Sequence, residues 1–270
     1  AGSRKTSSQW HPDWRLKTRQ AEPGKLTTWV YNGRPDPFNG NATASCAPPD
    51  ALLPDGKPIA VLCKQVEQAS TDADGSEGFN ATLQAGVPAR TWTYTYNAHG
   101  QVLTADGPRV DVNDVTTYEY HAETTPDHTM GDLKQVTTAS GTVQYPRYNP
   151  HGQVLTMVDA NGVTTEYSYD LRQRLRTVTV GTETTEYTYH PTGLLHRVIQ
   201  PDQSHVEYGY DDAHRLTSIS DNLGNRIDYT LDNAGIRKEE KVSDPHNVLA
   251  RQLTRVIDAL GRTQQTTGRE

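Results

Sequence analysis

Bulky apolar side chains are scarce in this chain. Its 270 residues include two Phe, two Met and two Cys, and hydrophobic residues make up 33% of it, against about 45–50% in ordinary globular domains. A conventional two-layer sandwich core would want more Leu, Ile and Phe, so the composition points instead to a thin sheet. No apolar run approaches the roughly 18 residues of a membrane-spanning helix, and no leader peptide is recognisable. Lys and Arg are spread along a chain of net charge −7. With no basic stripe or aromatic-basic interleaving, nucleic acid is disfavoured as a partner. Neither a His-Glu-x-x-His nor a Gly-x-Ser-x-Gly pattern occurs, and no motif points to a cofactor, a metal or catalysis.

Tyr is abundant, with 14 copies, and most of them recur in one frame. Tyr94–Tyr96, Tyr118–Tyr120, Tyr167–Tyr169, Tyr187–Tyr189 and Tyr208–Tyr210 are Tyr-x-Tyr copies, and Tyr229–Leu231 is a degenerate one. From Tyr148 onward the steps are 21, 20, 21 and 21 residues. A period this regular means one supersecondary unit repeated, and it lowers the prior for an enzyme.

One unit shows the physics. Thr164–Asp170 alternates with period two and is rich in Thr and Tyr, which predicts a strand. Asp170 or its Asn equivalent can bond its own backbone and open a turn. Gly100, Gly152, Gly193 and Gly235 follow where positive φ is cheap, whereas Arg174 and Arg215 stand there in two units. The returning strand carries Leu175 and Val178. Their separation of three would place them on opposite faces of a flat strand, so either a bulge intervenes or both faces are packed. Each unit is therefore a β-hairpin of about 20 residues that must pair with the next.

Residues 4–32 form a first repeat, ending in Tyr31-Asn32, and residues 90–270 carry the regular array. Between them, 33–89 reads as an irregular insertion, with a short strand over Ala60–Glu67. His121–His128 reads as a protruding turn, and Lys238–Asn247 as a polar excursion. Ala1-Gly2-Ser3 resembles a cloning scar, and the chain stops in mid-pattern, which suggests a piece of a longer protein. Cys46 and Cys63 are candidates for a loop-stapling disulfide, the alternative being two unpaired thiols.

Ile257-Asp258-Ala259-Leu260-Gly261-Arg262 resembles the Tyr-Asp-x-x-Gly-Arg core of YD repeats, also called Rhs repeats. Tyr169-Asp170 and Tyr210-Asp211 fit the same pattern, Tyr96-Asn97 and Tyr148-Asn149 fit it with Asn, and Tyr120 and Tyr189 hold its first position. The resemblance covers residues 9–32 and 90–262. It implies an all-β fold of tandem hairpins in a curved, spiralling antiparallel sheet, part of a hollow shell. In bacterial Rhs proteins and the C components of insecticidal Tc toxins such a shell encloses a C-terminal toxic domain, and teneurins use a similar shell in adhesion. The Asp-Pro-x-x-Gly-Arg-Phe signature of the self-cleaving core is missing; Asp244-Pro245 has only the dipeptide. The resemblance thus implies a non-catalytic, secreted or cell-surface shell segment. Its partners would be the rest of a parent protein with an enclosed toxin, and other copies pairing through open sheet edges.

Other readings are weaker. His99 and His151 share Asn-x-His-Gly-Gln-Val-Leu-Thr, so their recurrence reflects turn identity rather than chemistry. Ser70-x-Asp72-x-Asp74-Gly75 resembles half of a calcium loop but lacks the final bidentate Glu, so an acidic turn is the simpler reading. Asn41-Ala42-Thr43 and Asn80-Ala81-Thr82 match glycosylation sequons, chance matches in a bacterial protein. Trp10, Trp14, Trp29 and Trp92, near amide side chains, are candidates to stack on a carbohydrate. This is the alternative to a purely structural role.

Overall fold

Residues 4–12 and 14–269 are described by a computed structural model. The segment resembling a cloning scar, 1–3, lies outside them. The chain divides into two compact units, Ala1–Gly152 with Asp159–Asn161, and Gln153–Val158 with Gly162–Glu270. Apart from one 3-10 turn at Gly78–Asn80, the regular structure among the described residues is all β.

The first unit contains β1 (Ser7–Trp10), β2 (Lys17–Glu22), β3 (Lys25–Tyr31), β4 (Pro35–Asp36), β5 (Ala42–Thr43), β6 (Leu62–Ala69), β7 (Arg90–Tyr96), β8 (Val102–Asp106), β9 (Thr116–Tyr120), β10 (Leu133–Thr138) and β11 (Gly141–Tyr148). Setting aside the β4–β5 ribbon, each strand pairs antiparallel with the next from β1 through β10–β11. The second unit contains β12 (Val154–Val158), β13 (Thr164–Tyr169), β14 (Leu175–Val180), β15 (Glu183–Tyr189), β16 (Leu195–Ile199), β17 (His205–Tyr210), β18 (Leu216–Asp221), β19 (Arg226–Leu231), β20 (Arg237–Ser243), β21 (Leu249–Ile257) and β22 (Thr263–Arg269). It is likewise an unbroken antiparallel meander. The Lys238–Asn247 stretch, expected as an excursion, is mostly β20. Its charged side chains are engaged, with Gln252 Nε2 of β21 donating to Glu239 at 2.6 Å and Lys241 paired to Glu239 along β20 at 3.1 Å.

The puzzle of Leu175 and Val178 is resolved by a bulge. Ser168 faces Thr177 and Tyr169 faces Leu175, so Arg176 is an extra residue on the returning strand. The extra residue restores a common face: Tyr167 opposes Val178 while Tyr169 opposes Leu175. The same shift recurs at Tyr96–Val102, Tyr189–Leu195, Tyr210–Leu216 and Leu231–Arg237. A bulge bends its strand and increases the local twist. Its recurrence at these pairings is therefore a repeated bend written into the sequence.

Side chains alternate across this pleat, and the two faces differ in chemistry. One carries the Tyr, Leu and Val positions. The other carries hydroxyl pairs such as Ser168–Thr177 at 2.6 Å, Thr95–Thr104 at 2.7 Å and Thr179–Thr184 at 3.0 Å. Few side chains are deeply buried, as expected of a thin sheet. The best-buried apolar residues of the first unit include Ala21, Leu26, Val30 and Val66 on β2, β3 and β6. Phe79 packs against Ala21, Leu26 and Ala81, and the Lys5 N–H ahead of β1 donates to the Asp74 carbonyl at 2.8 Å.

Six tyrosines at strand ends make one further bond each. Tyr31, Tyr96, Tyr120, Tyr148, Tyr169 and Tyr189 donate their hydroxyls to the carbonyls of Lys17, Leu62, Val102, Leu133, Val154 and Leu175, at 2.5–3.0 Å. Each acceptor is the first residue of the preceding strand. The ring thus faces the strand ahead while its hydroxyl holds the strand behind. Burial pushes these phenols up, Tyr96 and Tyr148 to about 12.

Tyr96→Phe should leave the Leu62 carbonyl without its donor and cost about 1–2 kcal/mol, read from the denaturant midpoint. The raised phenol values also set an alkaline limit. Stability from neutral tyrosines is complete below the ordinary phenol value of about 10 and is lost as pH climbs through about 12 at Tyr96 and Tyr148. Tyrosinate absorbance and loss of β circular dichroism should therefore rise together in that window.

Candidate functional site

The chemistry-bearing residues of the repeat converge on one turn. In Asp170–Arg174 the Asp170 N–H donates to the Arg174 carbonyl at 2.9 Å. One carboxylate oxygen accepts the N–H groups of Arg172 at 2.8 Å and Arg174 at 3.0 Å, and the other accepts the Arg174 guanidinium. Asp211–Arg215 and Asp258–Arg262 repeat this arrangement with the same partners. Asn97 serves with its amide oxygen, binding the N–H groups of His99 and Gln101 at 3.0 Å, so His99 contributes a backbone donor while its ring stays exposed. The carboxyls sit below the ordinary Asp value: Asp170 chiefly through the Arg174 side chain, Asp211 and Asp258 chiefly through the backbone N–H of their arginines.

The glycine position needs correction. Gly100, Gly152, Gly193, Gly235 and Gly261 have φ of +78°, +76°, +98°, +84° and +77°. In the two units without glycine, that left-handed position is held by Gln173 (φ +65°) and His214 (φ +63°). Arg174 and Arg215 do not replace the glycine. They stand one residue later, where Arg262 stands, and pair with the opening Asp.

The same closure reveals where the insertions enter. Asn32 N–H donates to the Val61 carbonyl at 2.9 Å, the bond that Asp170 makes to Arg174, and the Asn32 amide oxygen accepts from Cys46 N–H at 3.1 Å. Residues 33–60 are therefore an expanded version of the Asp turn, and β6 follows them in register between β3 and β7. Cys46 and Cys63 are joined by a disulfide, with Cα atoms 5.4 Å apart. Cys63 is the bulge residue of β6, so the staple ties the expanded turn to the strand it feeds and contributes about 3 kcal/mol for a loop of this length. Asp36 is buried, paired to Lys64 of β6, and accepts the Phe38 N–H at 2.9 Å. Residues 122–131 expand a second turn, closed by His121 N–H to the Asp132 carbonyl at 2.8 Å.

His11, His121 and His190 hold the Asp position in three turns; the sequence places His there after the second aromatic, but does not reveal the partners of its ring. His121 Nε2 lies 3.1 Å from the Tyr145 carbonyl, and His190 Nε2 lies 3.4 Å from that of Tyr208. His121 also stacks on His128 at 3.6 Å. The His121 and His190 rings reach the following hairpin, whereas the His11 Nδ1 accepts the Trp14 N–H of its own turn at 3.3 Å and the Asp carboxylates likewise close on theirs.

Asp72 is buried, and its carboxylate accepts the N–H groups of Gly75 at 2.9 Å and Glu77 at 3.0 Å. Its oxygens organise an acidic turn. Trp10, Trp29 and Trp92 lie on β1, β3 and β7, and Trp14 lies in the turn between β1 and β2. Lys17 Nζ lies 5.2 Å from the Trp10 ring and 5.9 Å from Trp29. Trp29 donates to Gln65 at 2.9 Å, and Gln65 in turn faces Trp92 across the ladder. Trp14 stacks on His11 at 4.6 Å, with the Arg34 guanidinium 4.3 Å above its ring.

The Tyr clamp, the bulge and the turn opened by Asp, Asn or His recur along the chain, and the sequence matches the teneurin YD-shell pattern over residues 80–257, more than half its length. The chain belongs to that family. Its fold is similar to that in the crystal structure of TcdB2-TccC3-Cdc42, with TM-score 0.61 and 17% identity over 97% of this chain. It is also similar to TcdB2-TccC3 without its hypervariable C-terminal region, with TM-score 0.60 and 16% identity over 98% of this chain. The chain spans only 16% of each of those chains. No curated protein sequence matches it. These likenesses place the chain as a structural segment of a YD shell.

Acid should unravel the turns in a defined direction. The lowered Asp170, Asp211 and Asp258 values mean that their stabilisation is complete above about pH 3.9 and is lost as pH falls through the lower folded values. Asn keeps the N–H acceptor but does not titrate there. The triple variant D170N/D211N/D258N should therefore lose less stability between pH 5 and pH 2, measured by urea unfolding at each pH.

Proposed function

We propose that this chain is a non-catalytic wall segment of a longer bacterial YD-repeat protein, secreted or displayed at the cell surface, whose shell houses a C-terminal toxic domain. One observation carries the reading: the polar groups that recur along the repeats are spent on closing turns and on tying one strand to the next. The Asp carboxylates bind backbone N–H groups and Arg, and the Tyr hydroxyls bind backbone carbonyls. A catalytic group needs a reactive atom left available to substrate, and the repeat leaves its shared atoms engaged. The similarity to TcdB2-TccC3 supports the shell reading at the level of fold.

The strand edges fit the same reading. β1 and β22 each have a ladder partner on one side among the described residues, and an open edge is a template for a further strand. In the parent protein that strand would be the neighbouring hairpin; in isolation a second copy could supply it. A carbohydrate- or receptor-binding surface is the second reading, favoured by the basic and aromatic groups around β1–β3.

Limited proteolysis of the parent protein, carried through to its C-terminal domain, tests enclosure. The domain should resist protease in the intact protein and become cleavable when the turns are weakened by D170A/D211A/D258A. Cleavage at the same rate in both proteins and in the isolated domain would refute housing.

A further inference from the structure

Beside the β1–β3 meander, the opening of the 33–60 turn expansion leaves a trough of about 380 Å³. That lies at the small end of the roughly 300–1,000 Å³ range of small-ligand pockets. Its walls include Gln9, Arg19, Thr28, Arg34, Pro35 and Pro37. Among the described residues no Asp or Glu lines it, although the chain carries net charge −7.

The two arginines are presented in an unusual way. The Arg34 guanidinium lies 4.3 Å from the Trp14 ring centroid, and that of Arg19 lies 4.7 Å from Phe79. Ring stacking fixes a planar guanidinium by its face and leaves its in-plane N–H donors available. Arg174, Arg215 and Arg262 each bind an Asp in their own turn. The guanidinium groups of Arg19 and Arg34 have no hydrogen-bond or ion-pair partner among the described residues. The nearby carboxylate of Asp36 is committed to Lys64 and the Phe38 N–H. Two guanidinium-bearing side chains lining one concave site, neither paired to a carboxylate among the described residues, can receive a carboxylate.

The remaining walls define what carries that carboxylate. Gln9 supplies an amide and Thr28 a hydroxyl, both suited to sugar hydroxyls. The rings of Pro35 and Pro37 offer flat CH surfaces against which a pyranose can lie. We propose that this trough binds a uronic-acid residue of an anionic glycan, its carboxylate held by Arg19 and Arg34 and its hydroxyls by Gln9 and Thr28. The site is independent of enclosure, because a wall segment can hold a cargo whether or not its surface recognises a glycan.

Titration of the chain with methyl glucuronide, methyl glucoside, acetate and a Glu-rich peptide, followed by Trp indole NMR shifts, tests the assignment. The glucuronide should bind at least about tenfold more tightly than the glucoside or acetate and should weaken as salt is raised. Arg34→Gln and Arg19→Gln should each weaken it about tenfold or more, while Arg172→Gln in the second unit should not. Equal binding of glucoside, or none by glucuronide, would overturn the site. Acetate or the peptide binding as tightly as the glucuronide would overturn its saccharide specificity. The wild-type comparison decides these points even if an Arg variant fails to fold.

Discussion

The structure depends on a backbone constraint. A hairpin of about 20 residues cannot hold its shape alone, so each must be fastened to its neighbours. The terminal Tyr does this on both sides at once. Tyr169 packs its ring against Leu175 across the bulge, while its hydroxyl binds the Val154 carbonyl at 3.0 Å. Three successive strands are thereby fixed by one side chain. Tyr suits the position because its ring supplies contact area and its hydroxyl serves a carbonyl at the strand end. Phe could supply only the first, in keeping with the chain's 14 Tyr and two Phe.

Given that clamp, the other motif residues have defined tasks. The bulge brings the Leu and Val positions onto the Tyr face. The Asp turn begins immediately after the clamp, so its geometry determines where the returning strand enters the ladder. Closure between main-chain groups makes the turn tolerant of expansion. Asn32 and Val61 form the same N–H to carbonyl bond as Asp170 and Arg174, and everything between them is free to vary. Recognition can therefore be added without disturbing the wall, and the Arg19–Arg34 trough lies where one such expansion begins.

Much of this was legible in the residues. The Tyr-x-Tyr period, the Asp or Asn opening and the Gly positions identified tandem hairpins, and the three-residue separation of Leu175 and Val178 anticipated a bulge. Three features were hidden for physical reasons. Gln173 and His214 adopt positive φ without being Gly, so composition pointed to the wrong residue. His121 and His190 replace Asp by bonding to the next hairpin, a contact made through space. The polar β20 has no apolar alternation, and its carboxylates are held by cross-strand hydrogen bonds from Thr230 and Gln252 and by ion pairs along the strand.

The sequence alone determined the repeat, its β character and the turn chemistry, because strand alternation and turn geometry are local properties written at fixed spacing. Only the tertiary structure decided that residues 33–60 are an expanded turn, that Cys63 is a bulge residue stapled to that turn, and that Arg19 and Arg34 share a trough. These relations join groups widely separated along the chain. They arise from ladder register and close packing, and neither leaves a spacing that can be read from the residues.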